Sequence, residues 1–115
     1  MTITNEHANL VLKEFGVPSH IRGHRYIKQA LIVISENPDA LDQITKVLYP
    51  TIAKHFGVTW SSVERCIRHA VTIAMDRLYP EAITELFGNT VNPNRGTPSN
   101  SHFIAAIVER LEERA

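Results

Sequence analysis

Polar and charged side chains crowd residues 61–69, where several of them recur at the spacing of one helix face. Arginine, carboxylate and hydroxyl groups near the start of a helix hydrogen-bond base edges and phosphates when the helix enters a major groove. The residues expected to make such contacts are Ser61, Ser62, Glu64, Arg65, Arg68 and His69, together with Lys54 from the preceding helix. The segment therefore predicts a surface that binds double-stranded DNA.

Two other clusters of reactive side chains are weaker candidates. His20 and His24 are four residues apart, as metal ligands on one helix often are, but no carboxylate or cysteine stands at a ligand-like spacing beside them. They belong to a basic group that either contacts phosphate or forms a solvated face: His20, Arg22, His24, Arg25 and Lys28. Cys66 near His69 could suggest a thiol nucleophile, although a cysteine on an apolar helix face is more often a core residue. We expect no catalytic residue, metal or cofactor, and therefore no enzyme.

Length and charge limit the class of protein. A chain of 115 residues with 43% apolar content suits one domain with one buried core. The formal net charge is zero, so a nucleic-acid site must be a local patch, and residues 43–77 hold five lysines and arginines against two acidic residues. No apolar run approaches 18 residues and the start does not resemble a signal peptide. We expect a cytoplasmic, nucleoid-associated protein that does not bind a membrane.

The spacing of apolar residues predicts an all-α fold, a compact bundle of about six helices that contains a helix-turn-helix. Helical stripes are present at about 5–15, 20–36, 38–48, 50–56, 60–77, 80–87 and 101–114. Ser19 is expected to cap the second helix, and Asn37 followed by Pro38 is a start signal for the third. The whole chain, 1–115, is expected to be one domain, with a leader and first helix over 1–13 and a final helix over 101–114. Residues 88–100 are loop by composition, either functional or a plain connector.

The helix-turn-helix is predicted over residues 50–77, because a glycine interrupts an otherwise continuous helical pattern there. Gly57 can adopt the left-handed backbone that a tight turn between two helices requires. Thr59 is a good N-cap for the second of these helices. Ala53 is small enough to let the two helices approach each other. The outward residues 61–69 would then lie at the start of the second helix, which is the helix that reads DNA in this motif.

Longer stretches of the sequence are similar to a known family. The strings "GVPSHIRGHRYIKQA", "ITKVLYPTIAKHFGVT", "SSVERCIRHAV", "LFGNTV" and "PSNSHFIA" follow one another in the family's order. Over about residues 14–111 the chain closely resembles the DNA-binding effector domain of the sporulation master response regulator, the stage-zero sporulation protein A family. The resemblance implies a compact all-helical domain that binds a short DNA box, often as tandem copies, and contacts the sigma subunit of RNA polymerase.

The resemblance also implies roles for individual residues. Glu64 and Arg65 match family residues that read bases, and Arg68 and His69 match the family's motif. Ser62 departs from it, because the family commonly has an arginine there that contacts guanine. The segment 78–91 matches the sigma-contacting region, with Pro80 as a departure. The candidate polymerase contacts are Ala82, Thr84, Glu85, Phe87 and Val91, of which Phe87 could equally be an ordinary core residue.

Two hypotheses for the function follow. The first is a sequence-specific DNA-binding transcription regulator whose partners are double-stranded DNA, the sigma subunit and a second copy of the chain, as a homodimer or in tandem. The alternative is a protein-interaction module without a receiver domain, which pairs with the full-length regulator or with polymerase and binds DNA only weakly. Ser62 favours the alternative. Family members carry a receiver domain, and nothing in this sequence resembles one, so an excised effector domain and a stand-alone relative are both compatible with it.

Overall fold

A computed structural model describes residues 3–88 and 97–114, and six α-helices account for most of them. The helices are α1 Asn5–Glu14, α2 Arg22–Glu36, α3 Tyr49–Phe56, α4 Trp60–Arg77, α5 Pro80–Phe87 and α6 Asn100–Glu113. A 3₁₀ turn over Pro38–Gln43 and a π-helical turn over Ile44–Leu48 join α2 to α3. No strand occurs within the described ranges. The all-α bundle predicted from the sequence is confirmed.

The longest helix, α4, lies at the centre of the bundle and packs against α2, α3 and α6. Its inward side is a stripe at helical spacing that excludes water: Val63, Ile67, Ala70, Val71 and Ala74. Burying such a stripe is the main source of stability for a helix in a small bundle. The helix begins and ends at the residues the sequence predicted. Cys66, whose position favoured a core residue, is only partly buried.

A very close contact joins the start of α2 to the middle of α4. A Cβ atom placed on Gly23 would lie 2.4 Å from the Cys66 carbonyl oxygen and 2.5 Å from the Ala70 Cβ. Both distances are far shorter than a van der Waals contact, so only glycine fits at this position without moving one helix. Gly23 therefore fixes how near α2 comes to α4.

The other side of the bundle is held by aromatic packing and by ion pairs. Phe15 meets Phe87 and Phe103 edge to face, with ring centroids 5.7 and 5.8 Å apart, which joins α1 to α5 and α6. At the surface beside them, the Arg110 guanidinium lies 3.3 Å from the Glu14 carboxylate. These contacts anchor α5 and α6 on α1.

Two predictions are wrong, one about the type of a helix and one about the residue that caps a helix. Residues 38–48 form a 3₁₀ turn and then a π-helical turn, and not the α-helix that was expected. An α-helix that ran on through Pro50 would leave the carbonyl of residue 46 unbonded and in collision with the proline ring. The wider π turn ends just before that point, and the Thr51 hydroxyl donates to the Val47 carbonyl at 2.7 Å. Ser19 does not cap α2, because the helix begins at Arg22 and its N-cap is Ile21, which offers no side-chain acceptor.

The predicted loop over 88–100 lies mostly outside the described residues, since 89–96 are not among them. Its last residues lead into α6, where Ser99 is the N-cap and its hydroxyl accepts from the His102 backbone N–H at 3.2 Å. None of the described helices combines the length and the apolar content that crossing a membrane requires.

Candidate nucleic-acid interface

A three-residue turn sets α3 against α4, at the place where the sequence predicted it. Gly57 adopts φ 66° and ψ 37°, the left-handed conformation that stops α3. The Val58 backbone N–H returns to the Ala53 carbonyl at 3.0 Å. The Thr59 hydroxyl then accepts from the Ser62 backbone N–H at 3.1 Å and starts α4. Local sequence signals therefore fix both the end of one helix and the start of the next.

The seven predicted DNA-contacting residues all lie on this α3–turn–α4 unit. Six of them occupy the first three turns of α4, a stretch of about 12 Å at the rise of an α-helix. Four of those side chains belong to residues that are exposed: Ser61, Arg65, Arg68 and His69. Ser62 and Glu64 are half-buried, and Lys54 is exposed near the end of α3. The fold thus presents a polar surface of a size that matches the width of a major groove.

An ion pair orders part of that surface. The Arg68 guanidinium lies 3.2 Å from the Glu64 carboxylate, one helical turn before it. Exposed pairs at this spacing contribute only about 0.3–0.5 kcal/mol, so Arg68 can leave Glu64 for a phosphate at little cost. Among the described residues, no ion pair involves Arg65. Arg65 is therefore the arginine whose guanidinium is available without breaking an existing pair.

A polar contact that the sequence did not predict supports the same helix from behind. The Asn100 side-chain amide donates to the Glu64 backbone carbonyl at 3.1 Å and to the Tyr49 hydroxyl at 2.9 Å. It thereby joins the start of α6 to both α4 and α3. Burial raises the pKa of Tyr49, which keeps its hydroxyl neutral, and the oxygen of a neutral phenol accepts a hydrogen bond. The partners are 36 and 51 residues apart in sequence, which is why no local pattern predicted the contact.

Trp60 is a residue of this surface that the sequence analysis missed. It occupies the first position of α4 and is 53% exposed, which is uncommon for a tryptophan. It shares one side of the helix with Glu64 and Arg68, four and eight residues later. That spacing was the available signal, since a large aromatic residue in line with two charged residues does not face the core.

The candidate polymerase contacts divide between surface and core. Thr84 and Glu85 are exposed on α5, and Ala82 is half-buried. Phe87 is 6% exposed and packs between the rings of α1 and α6, so it lies where a core residue lies. Val91 falls outside the described residues. Of these candidates, Thr84 and Glu85 are therefore the two that a protein binding to α5 could contact most readily.

The two histidines and the cysteine that were weaker candidates for chemistry lie in different surroundings. His20 is exposed whereas His24 is buried, although the two are one helical turn apart in sequence. Within the described residues, no group of three histidine, cysteine or carboxylate side chains is placed to hold a metal ion. Cys66 is a free thiol, partly buried, in the part of α4 that faces Gly23.

A match to a known protein family covers the segment described above. Residues 8–111, nearly the whole chain, match the family described as sporulation initiation factor Spo0A C terminal. The match includes α3, the turn and all of α4. This family consists of DNA-binding domains of sporulation regulators and is not a family of enzymes. The chain belongs to the Spo0A C-terminal family, the DNA-binding effector domains of a sporulation response regulator.

Proposed function

We propose that the domain binds a short DNA box by placing the first three turns of α4 in the major groove. The observation that carries the proposal is the polar, partly basic surface of α4, held on a buried scaffold by the Gly57 turn and by Asn100. Arg65 is proposed to read a base, because its guanidinium is exposed and outside the described ion pairs. Arg68, His69 and Lys54 are proposed to contact phosphates, with Glu64, Ser61 and Ser62 beside the bases.

A regulator that activates transcription contacts RNA polymerase, and we propose that α5 makes this contact. Thr84 and Glu85 are exposed on α5, a helix that is not part of the α3–turn–α4 unit. Glu85 lies 3.8 Å from Arg110, so its carboxylate belongs to a charged surface that α5 shares with α6. We propose that the sigma subunit of RNA polymerase binds there, and that the domain acts on DNA in the bacterial nucleoid, as a homodimer or in tandem copies.

The single tryptophan allows a direct test of DNA binding. Trp60 lies in the first turn of α4 and is half exposed, so a duplex in contact with this helix end should change its fluorescence. Wild-type protein would be titrated with a duplex that carries the family box and with a scrambled duplex, at several salt concentrations. We expect a saturable change with both, tighter binding to the box, and a logarithm of affinity that falls linearly with the logarithm of salt.

A variant without the indole ring tests whether Trp60 itself contributes to the affinity for DNA. Trp60→Phe would be followed by the anisotropy of a labelled duplex, since it removes the fluorescence signal. Equal weak affinity for box and scrambled duplexes would contradict sequence-specific binding and favour the alternative, a protein-interaction module. For that module the next measurement is binding to the full-length regulator. A saturable wild-type signal that is tighter with the box than with the scrambled duplex would support the site.

The proposed polymerase contact has its own test. Thr84→Ala and Glu85→Ala should leave the affinity for DNA unchanged and reduce transcription activation in a purified system. Glu112→Ala, an exposed change on the far part of α6, is the control. Full activation by both α5 variants would exclude this surface.

A further inference from the structure

A second basic surface lies beside α4, in an open groove of about 820 Å³ formed by α1, the segment that follows it, the first half of α2 and the end of α4. Its ionisable lining residues are all basic: Lys13, His20, His24, Arg25, Lys28 and Arg77. No carboxylate lines it. In a chain with a formal net charge of zero, such a concentration of one sign is a local feature and does not reflect the overall composition.

The positive charges of this groove have no partner of opposite sign within the described ranges. The ion pairs found there involve the arginines at positions 68, 110 and 114, none of which lines the groove. The Lys28 ammonium donates only to a neutral acceptor, the Asn9 side-chain oxygen, at 3.3 Å. Uncompensated cations around a concave surface raise the positive potential inside it.

A buried polar side chain lies within the same groove. His24 is 7% exposed and lines the groove with its neighbour Lys28. Burial, followed by the charge of Lys28, lowers the pKa of His24, so the imidazole is mostly neutral near pH 7. A neutral imidazole can donate one hydrogen bond to an anion while the lysines and arginines around it supply the charge.

The groove is connected to the proposed DNA-binding unit. The Arg25 guanidinium lies 6.0 Å from the centre of the Phe56 ring, at the end of α3. Two residues earlier in the same helix, Gly23 packs against α4 with no room for a side chain between them. The groove is therefore held in a fixed position relative to the helix that is proposed to enter the major groove.

From these observations we infer that the groove between α1, α2 and the end of α4 is a phosphate-binding site. Several unpaired cations, no carboxylate and a buried hydrogen-bond donor form the chemistry that recognises a phosphate group. In the DNA complex the phosphates would be those of the backbone flanking the segment bound by α4. The assignment to DNA phosphates rests on the function proposed above, whereas the binding of free phosphate in the groove does not.

The test uses two groove variants and one matched control. Lys13→Gln and Arg77→Gln each remove one exposed cation of the groove, and Lys46→Gln removes an exposed cation outside it. Unchanged thermal unfolding of all three would show that the fold is intact. In the first arm, inorganic phosphate is titrated against chloride at equal ionic strength while backbone amide shifts are followed by NMR. In the second arm, DNA affinity is measured as a function of salt.

In the first arm we expect saturable shifts at residues 16–28 in the wild type and in Lys46→Gln, and weaker shifts in both groove variants. In the second arm each groove variant should lower the salt slope by about 1, the loss of one phosphate contact, and Lys46→Gln should not. Phosphate shifts with an unchanged DNA slope would support the site and assign it to a free phosphorylated ligand. No saturable shift at the groove together with equal DNA slopes for all three variants would overturn the inference. If the wild type binds no duplex, the proposed function fails and the phosphate arm alone decides.

Discussion

On its inward side α4 is closed to water, with Val63, Ile67 and Ala70 at 0% exposure, whereas on its outward side Arg65 and Arg68 are exposed. The inward residues must fit neighbours that are already in place, so their size is constrained to within a methyl group. The outward residues meet no such limit from the fold. Substitutions on the inward side should therefore change stability, and substitutions on the outward side should change binding.

The largest effect is expected where the inward side is tightest. Gly23→Ala places a methyl group against the Cys66 carbonyl oxygen and the Ala70 Cβ, neither of which can rotate away. Overpacking of this kind costs about 1–3 kcal/mol, and we expect the upper end, reduced by up to about 1 kcal/mol of gained helix propensity. The net loss of unfolding free energy, about 2 kcal/mol, would be measured by chemical denaturation.

Gly57 is the matched control, because the two glycines are needed for different reasons. A Cβ atom on Gly57 meets nothing within 4 Å, and only the positive φ disfavours a side chain there. Gly57→Ala should cost about 1 kcal/mol and Gly57→Asn less, since asparagine tolerates the left-handed conformation. At position 23 asparagine should be worse than alanine. If Gly23→Ala were instead stabilising, the close contact between α2 and α4 would be disproved.

Two arginines of the outward side offer the next test. Arg65→Ala should weaken binding to the preferred duplex by about 1–3 kcal/mol and relax specificity at one base pair. Arg68→Ala should weaken binding to all duplexes alike and lower the salt slope by about 1. Neither change should alter the unfolding free energy by more than about 0.5 kcal/mol, because both side chains are exposed. Equal losses on specific and scrambled duplexes for both variants would disprove the assignment of Arg65.

The same contrast explains what the sequence could predict. The bounds of α4 followed from Thr59 and from the spacing of apolar residues, both of which are local signals. The outward residues were predicted because polar side chains recur at the spacing of one helix face. The approach at Gly23 and the Asn100 bonds to the Glu64 carbonyl and Tyr49 did not, because they depend on how distant helices pack. The 3₁₀ and π geometry over 38–48 was not predicted either, although Pro50, which follows this stretch, is a local signal.

Ser62 lies at the border of the two sides, being half-buried in the first turn of α4. Ser62→Arg should add an arginine that can bond guanine O6 and N7 together, a pair worth about 1–3 kcal/mol of discrimination. We expect the lower part of that range, because position 62 is half-buried. The gain should appear only on duplexes that carry the guanine, measured against a box with that base replaced. Equal tightening on both duplexes would show that the added charge acts on phosphate alone.

The smallest effect is expected at Thr59, where an exposed residue serves stability. Its hydroxyl accepts from the Ser62 backbone N–H, so Thr59→Ala leaves that donor without its cap and should cost about 1 kcal/mol of unfolding free energy. Thr59→Ser keeps the oxygen and should cost less.

Thr72→Ala is the matched control, because Thr72 is exposed in the same helix and its hydroxyl only donates back to the Arg68 carbonyl. Alanine there should be neutral or stabilising, since it is the better helix former. Fraying of the first turn in Thr59→Ala should also lower DNA affinity by less than the loss of Arg65. Identical unfolding free energies for the two alanine variants would mean that the cap contributes nothing, and that inward packing alone fixes the start of α4.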